Sequence, residues 1–411
     1  MSRGIFGHLK EKTDTMSAYL PYESVYYEKI ADYYSIIKYA ALGVLAVFFV
    51  AAVLLFNQDL RAENFRYLFK YIYVDPVSTS SNYKNIYYNS NDKTYFAFYK
   101  GDLAVIGDGK IELYNISGNN IFSEQLDMEN AVCDSSGKHM VVYYPGENRV
   151  SVFNSFSKLH TVSYTKPVVS ASAGENGGFS VITSEEGYRS SVYIYNSSFK
   201  KIYHWRSNER YAASADISSN KKNALVLTYS HLGGIYVREL SVYGISKNEQ
   251  LFTVSSEGKM PIKAGFFSDD NFYGLYTDGI EFYSEKFNKL KDISFDEPIQ
   301  FYKVFSKGVL IITGTNRSDT VIRFYDSDGE TKYEFDFMHT VIDVDMADGS
   351  IYLLSDAMLY RYDGNMLMCA ELLSSANDFF AFDDGNAMVC YDDHTQLVNK
   401  SDFVGVSLKG E

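Results

Sequence analysis

The chain has 411 residues, a formal net charge of −14, 46% hydrophobic and 22% charged side chains. A chain so apolar can bury a core and is not disordered, and one so acidic repels phosphate backbones, which excludes nucleic acid as a partner. With 37 Tyr and 29 Phe against 6 Pro, its residues suit strands.

In chain order, residues 1–35 form a polar tail with no lipidation signal, expected to be cytoplasmic. Residues 39–56, YAALGVLAVFFVAAVLLF, carry no charge; with 36–38 they make 21 residues, about 31 Å of helix and enough to cross a bilayer. The predicted transmembrane helix is 36–57, with Lys38 able to snorkel and Tyr33, Tyr34 and Tyr39 at the interface. It is too long and too far from the start for a cleaved signal peptide, so it reads as a signal-anchor. Arg61, Arg66 and Lys70 after it outnumber Lys29 and Lys38 before it, but the nearest charges, Lys38 and Asp59, favour an inside N-terminus and an exported C-terminal domain. Residues 58–82 follow as an amphipathic helix (60–73) and a turn-rich linker (76–82).

From residue 83 onward a pattern recurs: an alternating strand ending in an aromatic and then a small or polar residue. The copies are IELYN (111–115), VSVFN (150–154), VYIYN (192–196), LSVYG (240–244), IEFYS (280–284), IRFYD (322–326) and LYRYD (359–363). Their aromatics are spaced by 39, 42, 48, 40, 42 and 37 residues, and a weaker copy ends at Val398. A hairpin with an Asp-, Ser- or Gly-rich turn precedes each copy and one more strand follows it. A unit of about 40 residues and four strands is a propeller blade, which hides both apolar faces only by stacking in a ring. The expected fold is an all-β, eight-bladed β-propeller over 83–411 preceded by one transmembrane α-helix, with seven blades as the alternative count and a β-sandwich or β-helix as the alternative fold. Pro167, Pro261 and Pro298 fall at blade boundaries. The last blade is completed either by 403–408 or, from the N-terminal side, by 85–88.

A lone membrane helix, a polar linker and these Tyr/Phe-rich aromatic-Asn/Asp copies resemble an uncharacterised family of membrane-anchored propellers from clostridia-type Gram-positive bacteria. The resemblance implies a cell-membrane location and supplies no activity and no catalytic residue. With Trp205 as its only Trp, the chain lacks the recurring Trp-Asp of WD40 units.

No catalytic motif emerges: no HExxH, GxSxG, P-loop or GxGxxG. Cys133, Cys369 and Cys390 lack zinc spacing and read as buried thiols, with a Cys369–Cys390 bridge left open. DSDGE (326–330) begins like a calcium loop but re-enters a strand, so it reads as a turn. Neither a metal nor a cofactor is expected. The loops joining second to third strands, and one blade to the next, share one face. They hold or adjoin Arg149, Tyr188, Arg189, Trp205, Arg206, Arg210, His231 and Arg317, a composition of interface anchors. The expectation is a non-enzymatic, extracytoplasmic platform or sensor that binds a protein or an anionic envelope polymer. An envelope-polymer hydrolase or lyase and a structural subunit of a membrane complex are the alternatives.

Overall fold

The computed structural model describes residues 24–55, 83–89, 94–126, 131–258, 260–316 and 319–406. The chain forms two compact units, 1–73 and 74–411. In the first, helix α1 (Ser24–Leu55) is 32 residues long and starts before the expected membrane span because no Pro or Gly interrupts 24–42. Within it, Asp32–Ala51 is long and apolar enough to cross a membrane, with mean hydropathy 1.9, and none of it is buried in the protein. The expected amphipathic helix and linker lie outside the described residues.

The second unit is an eight-bladed β-propeller. Blades 1 to 6 are antiparallel four-stranded sheets spanning 95–125, 132–163, 168–207, 211–257, 261–294 and 299–337. Strands A to D run outward from the channel. Blade 7 (343–371) gains a fifth strand, Val404–Val406, and blade 8 (378–398) has three of its own. The registers explain the repeat. Each of the eight terminal residues of the sequence copies, from Tyr114 to Val398, lies in a C strand. In blades 1 to 6 the C–D pairing slips at the aromatic. The following Asn or Asp then folds the turn: Asn115 Oδ1 accepts the N–H of Ser117 and Asn119, Asn196 those of Ser198 and Lys200, and Asp363 those of Asn365 and Met366. Asp326 of the calcium-like stretch does the same for Asp328 and Glu330 and pairs with Lys332.

B strands are buried on both faces and therefore read as continuous apolar runs, such as FYGLY at 272–276. D strands are half-solvated and alternate, such as EQLFTVSSE at 249–257. The core is divided into eight apolar clusters, one at each seam between neighbouring blades. Pro261 opens a blade, and Pro167 and Pro298 immediately precede one. All three cysteines are free thiols, so the Cys369–Cys390 bridge is not formed.

Of the two ways to complete blade 8, the N-terminal one is used. Tyr87 pairs with His394, the Tyr88 N–H donates to the Asp393 carbonyl (3.0 Å) and the Thr395 N–H to that of Ile86 (2.9 Å). The same segment ties to blade 1 through the Lys84 N–H and the Ile116 carbonyl (2.8 Å). Residues 404–406 turn away to the edge of blade 7 instead, beside Leu367–Glu371.

Candidate functional site

The rim that carries the B–C loops is uneven because the blades differ in strand length. In blade 7 the B and C strands are Ser350–Ser355 and Met358–Tyr362; in blade 4 they are Asn223–Leu232 and Ile235–Gly244, ten residues each. Four extra residues lift the blade 4 hairpin roughly 13 Å beyond the shorter blades. Gly233 and Gly234, both at positive φ (58° and 89°), close it as a two-residue turn that side chains would strain. Its flanks expose Ile235 and Tyr236, with His231 edge-on to Tyr236 at 5.1 Å.

At the foot of this hairpin, arginines lie on aromatic faces. The Arg206 guanidinium sits 4.5 Å from the centre of the Tyr188 ring. That of Arg189 sits 5.3 Å from the Tyr211 ring, which stacks in turn on Tyr229. Carboxylates partly neutralise the cluster: Glu185 faces Arg206 (3.7 Å) and His204 (3.2 Å), and Glu239 faces Arg210 (3.1 Å). The Ser191 hydroxyl donates to Glu185 and holds its carboxyl below the ordinary range, while burial lowers His204. Ser191, His204 and Glu185 do not form a nucleophile relay. One imidazole nitrogen, Nε2, meets both Glu185 and the Ser191 oxygen, and Ser191 is wholly buried. Among the described residues Arg189 has no carboxylate partner, and its one polar side-chain contact is the Tyr211 hydroxyl at 3.4 Å.

The structure thus brings Tyr188, Arg189, Arg206, Arg210 and His231 together on the rim of blades 3 and 4. Trp205, from the same stretch, packs into the seam between them and donates from Nε1 to the Tyr243 hydroxyl (3.1 Å). Arg149 opens the C strand of blade 2, away from the cluster, and Arg317 lies outside the described residues. Sequence reasoning missed Glu185, Tyr211, Tyr229, Glu239 and Tyr236; the one available signal was the 48-residue spacing, the longest, which marks the extended blade.

The channel holds a second set of groups from the A strands. Three aspartates reach across seams to backbone N–H groups of the next A strand: Asp134 to Ala173 (3.0 Å), Asp216 to Phe266 (2.8 Å) and Asp345 to Ala381 (2.9 Å). Burial pushes Asp216 up to about 7 and raises Asp345. Farther round, Lys303 contacts both oxygens of Asp343 (3.2 and 3.1 Å). Burial and neighbouring Asp343 drive Asp378 far above the carboxylate range. Burial acts to lower Lys303, yet Asp343, Asp345 and Asp378 hold it above its ordinary value. An Asp inside an apolar strand is disfavoured, so VCDS, SADI and VDMA carried a sequence signal for the stapling aspartates that was not used.

Fold and site together define an eight-bladed β-propeller with one armed rim. The chain belongs to the Family of unknown function (DUF5711), which matches residues 75–399. No curated protein matches the sequence. Among solved structures, Sqt1 of Saccharomyces cerevisiae is similar with TM-score 0.54 and 11% identity over 78% of this chain and 99% of that one. BamB of Moraxella catarrhalis gives 0.46 and 9% over 78% and 99%, and the C-terminal WD40 domain of Sif2 gives 0.49 and 10% over 79% and 96%. At these identities the likeness to Sqt1 speaks for the fold alone, and the other two scores add no argument.

Proposed function

We propose that the protein is a non-enzymatic protein-binding platform, held at a membrane by α1 with the propeller on the extracytoplasmic side, whose blade 3–4 rim docks an acidic partner. The observation that carries the docking surface is the blade 4 hairpin. It extends beyond the shorter blades, exposes Ile235 and Tyr236, and shares its blade with Tyr211, the partner of Arg189, a cation with no carboxylate of its own among the described residues. Aromatic and Arg anchors in a polar surround are the usual carriers of interface energy. The membrane tether is supported by Asp32–Ala51, where Val47 and Phe48 are 71% and 72% exposed; an apolar helix bare in water gains by entering lipid. A tether also concentrates the platform near membrane partners.

The test places a photo-crosslinking amino acid at Tyr236, and as a control at Leu290 on the outer strand of blade 5, in the full chain in its own membranes. A protein adduct specific to Tyr236 is expected, cut at least tenfold by Arg189→Glu, since reversing an interface charge costs about 2 kcal/mol or more. Adducts equal at both positions, adducts to carbohydrate only, or indifference to Arg189→Glu would overturn the reading. Protease added to intact cells should digest the propeller; protection would place it on the other side.

A further inference from the structure

Inside the ring, two neighbouring cavities of about 280 and 130 Å3 lie along the A strands of blades 1 to 6. Both are lined by Asp134, Ser172 and Lys263. Asp134 and Lys263 are the charged residues of the larger cavity; the smaller adds Glu175 and Asp216. Lys303 is taken by Asp343, and Asp216 and Asp345 are spent on backbone N–H groups. The Lys263 ammonium makes no hydrogen bond or ion pair among the described residues and meets Asp216 only as a longer-range charge. Asp134 accepts the Ser172 hydroxyl (2.7 Å) and the Ala173 N–H through Oδ2 alone, which leaves Oδ1 without a partner among the described residues. The opposite charges share the same cavities and do not pair with each other.

Half-buried charges of opposite sign that stay apart call for something between them. A simple anion would satisfy Lys263 while meeting the Asp134 carboxylate, and a simple cation would do the reverse. A molecule with an anionic and a cationic end answers both. Burial keeps Asp216 of the smaller cavity largely protonated below about 7, which weakens its hold on Lys263 at mildly acidic pH. The larger cavity also presents Ser170, whose hydroxyl has no partner among the described residues, beside Tyr95, Tyr143 and Ile262. Its volume is below the roughly 300–1,000 Å3 of pockets for drug-sized ligands, so the occupant is small.

We propose that the channel binds a free α-amino acid, its carboxylate on Lys263 and its ammonium on Asp134 Oδ1, with the side chain in the larger cavity. A bound metabolite would make the platform of the preceding section responsive to its surroundings, but the site stands on its own residues and its test does not depend on rim docking.

The test is thermal unfolding and titration calorimetry of the detergent-solubilised full chain against each of the twenty amino acids, with acetate and methylammonium as half-ligands. At least one amino acid is expected to raise Tm by several degrees at millimolar concentration while neither half-ligand does. Lys263→Met and Asp134→Asn should each weaken binding at least tenfold, and the unliganded variants should unfold cooperatively as the parent does. Three results would each overturn the assignment: no amino acid shifting the parent, Lys263→Met binding as tightly as the parent, or acetate alone reproducing the shift.

Discussion

The seam between blades 4 and 5 and the seam between blades 8 and 1 solve the same packing problem by different means. The first is polar in its detail. Asp216 and Ser214 bond to the next A strand, and farther out Arg238, 1% exposed, forms a two-point ion pair with Glu281 (2.8 and 3.1 Å). The Arg238 guanidinium also lies 3.5 Å from the Tyr276 ring centre, and the Tyr283 hydroxyl and Lys289 complete the Glu281 shell. Burial acts to raise Glu281, yet Arg238 holds it down at about 2. The second seam is apolar and aromatic: Phe98 meets Phe380 and Phe382, each at 5.6 Å, and Tyr88 meets Phe96 at 5.4 Å. Here segments 309 positions apart in the chain must meet, and the contact is completed by an extended segment from before blade 1 that makes one isolated bridge. Consecutive blades are brought together by a short connection, so side-chain pairs can fix their geometry. The closing seam must also offset a large loop-closure entropy, and it does so with backbone pairing plus buried apolar surface.

If this contrast holds, damage to the closing strand should be the most costly. Ile86 is fully buried, and Ile86→Asp should destabilise by about 4 kcal/mol or more, read as loss of the cooperative transition in thermal unfolding followed by circular dichroism. Val404→Asp, on the exposed strand that does not close the ring (66% exposed), should stay within about 0.5 kcal/mol; equal damage from both would mean that the C-terminal strand shares the closure. Next in size, Arg238→Met strands Glu281 and should cost about 3–5 kcal/mol, while adding Glu281→Leu should restore most of it. Denaturant titration of the two single variants and the double would show this as a large coupling energy, and simple additivity would remove the ion pair as the determinant of that seam. The smallest effect is pH-dependent. The Asp216 carboxyl is raised from 3.8 to about 7 on folding, so its contribution is complete below about pH 4 and is lost as pH rises through 7. Between pH 5.5 and 8 it should change stability by on the order of 2 kcal/mol, greater at the acid end. Asp216→Asn should flatten that part of the Tm–pH curve; an unchanged slope would assign it to other groups.

The ring itself was legible in the sequence because its cause is local. In six of the eight blades the C strand ends in the same aromatic bulge, and several continue into the same side-chain-capped turn. The Arg and aromatic residues of the rim were legible for the same reason, since loops at known places in a repeat fall on known faces. What remained hidden is set by residues far apart in the chain. Nothing in 83–89 announces His394 as its partner; the choice against 403–408 is decided by Ile86 and Tyr88 entering the apolar cluster of blades 8 and 1. Arg238, in the middle of IYVRELSVYG, looks like a solvated strand residue until Glu281, 43 positions later, covers it. Trp205 looked like a surface anchor because Arg206 and Arg210 beside it lie at the rim, but its strand turns it into the seam. Lys263 and Asp134 come to line the same cavities only through the curvature of the ring.

The closing segment is also the first described stretch of the propeller after α1 in the chain. A pull transmitted along the chain from α1 would therefore arrive first at a latch: a few backbone hydrogen bonds and the side chains of Ile86 and Tyr88. In mechanical terms the propeller is a clasped bracelet tugged by its clasp, so its point of closure and its point of loading coincide.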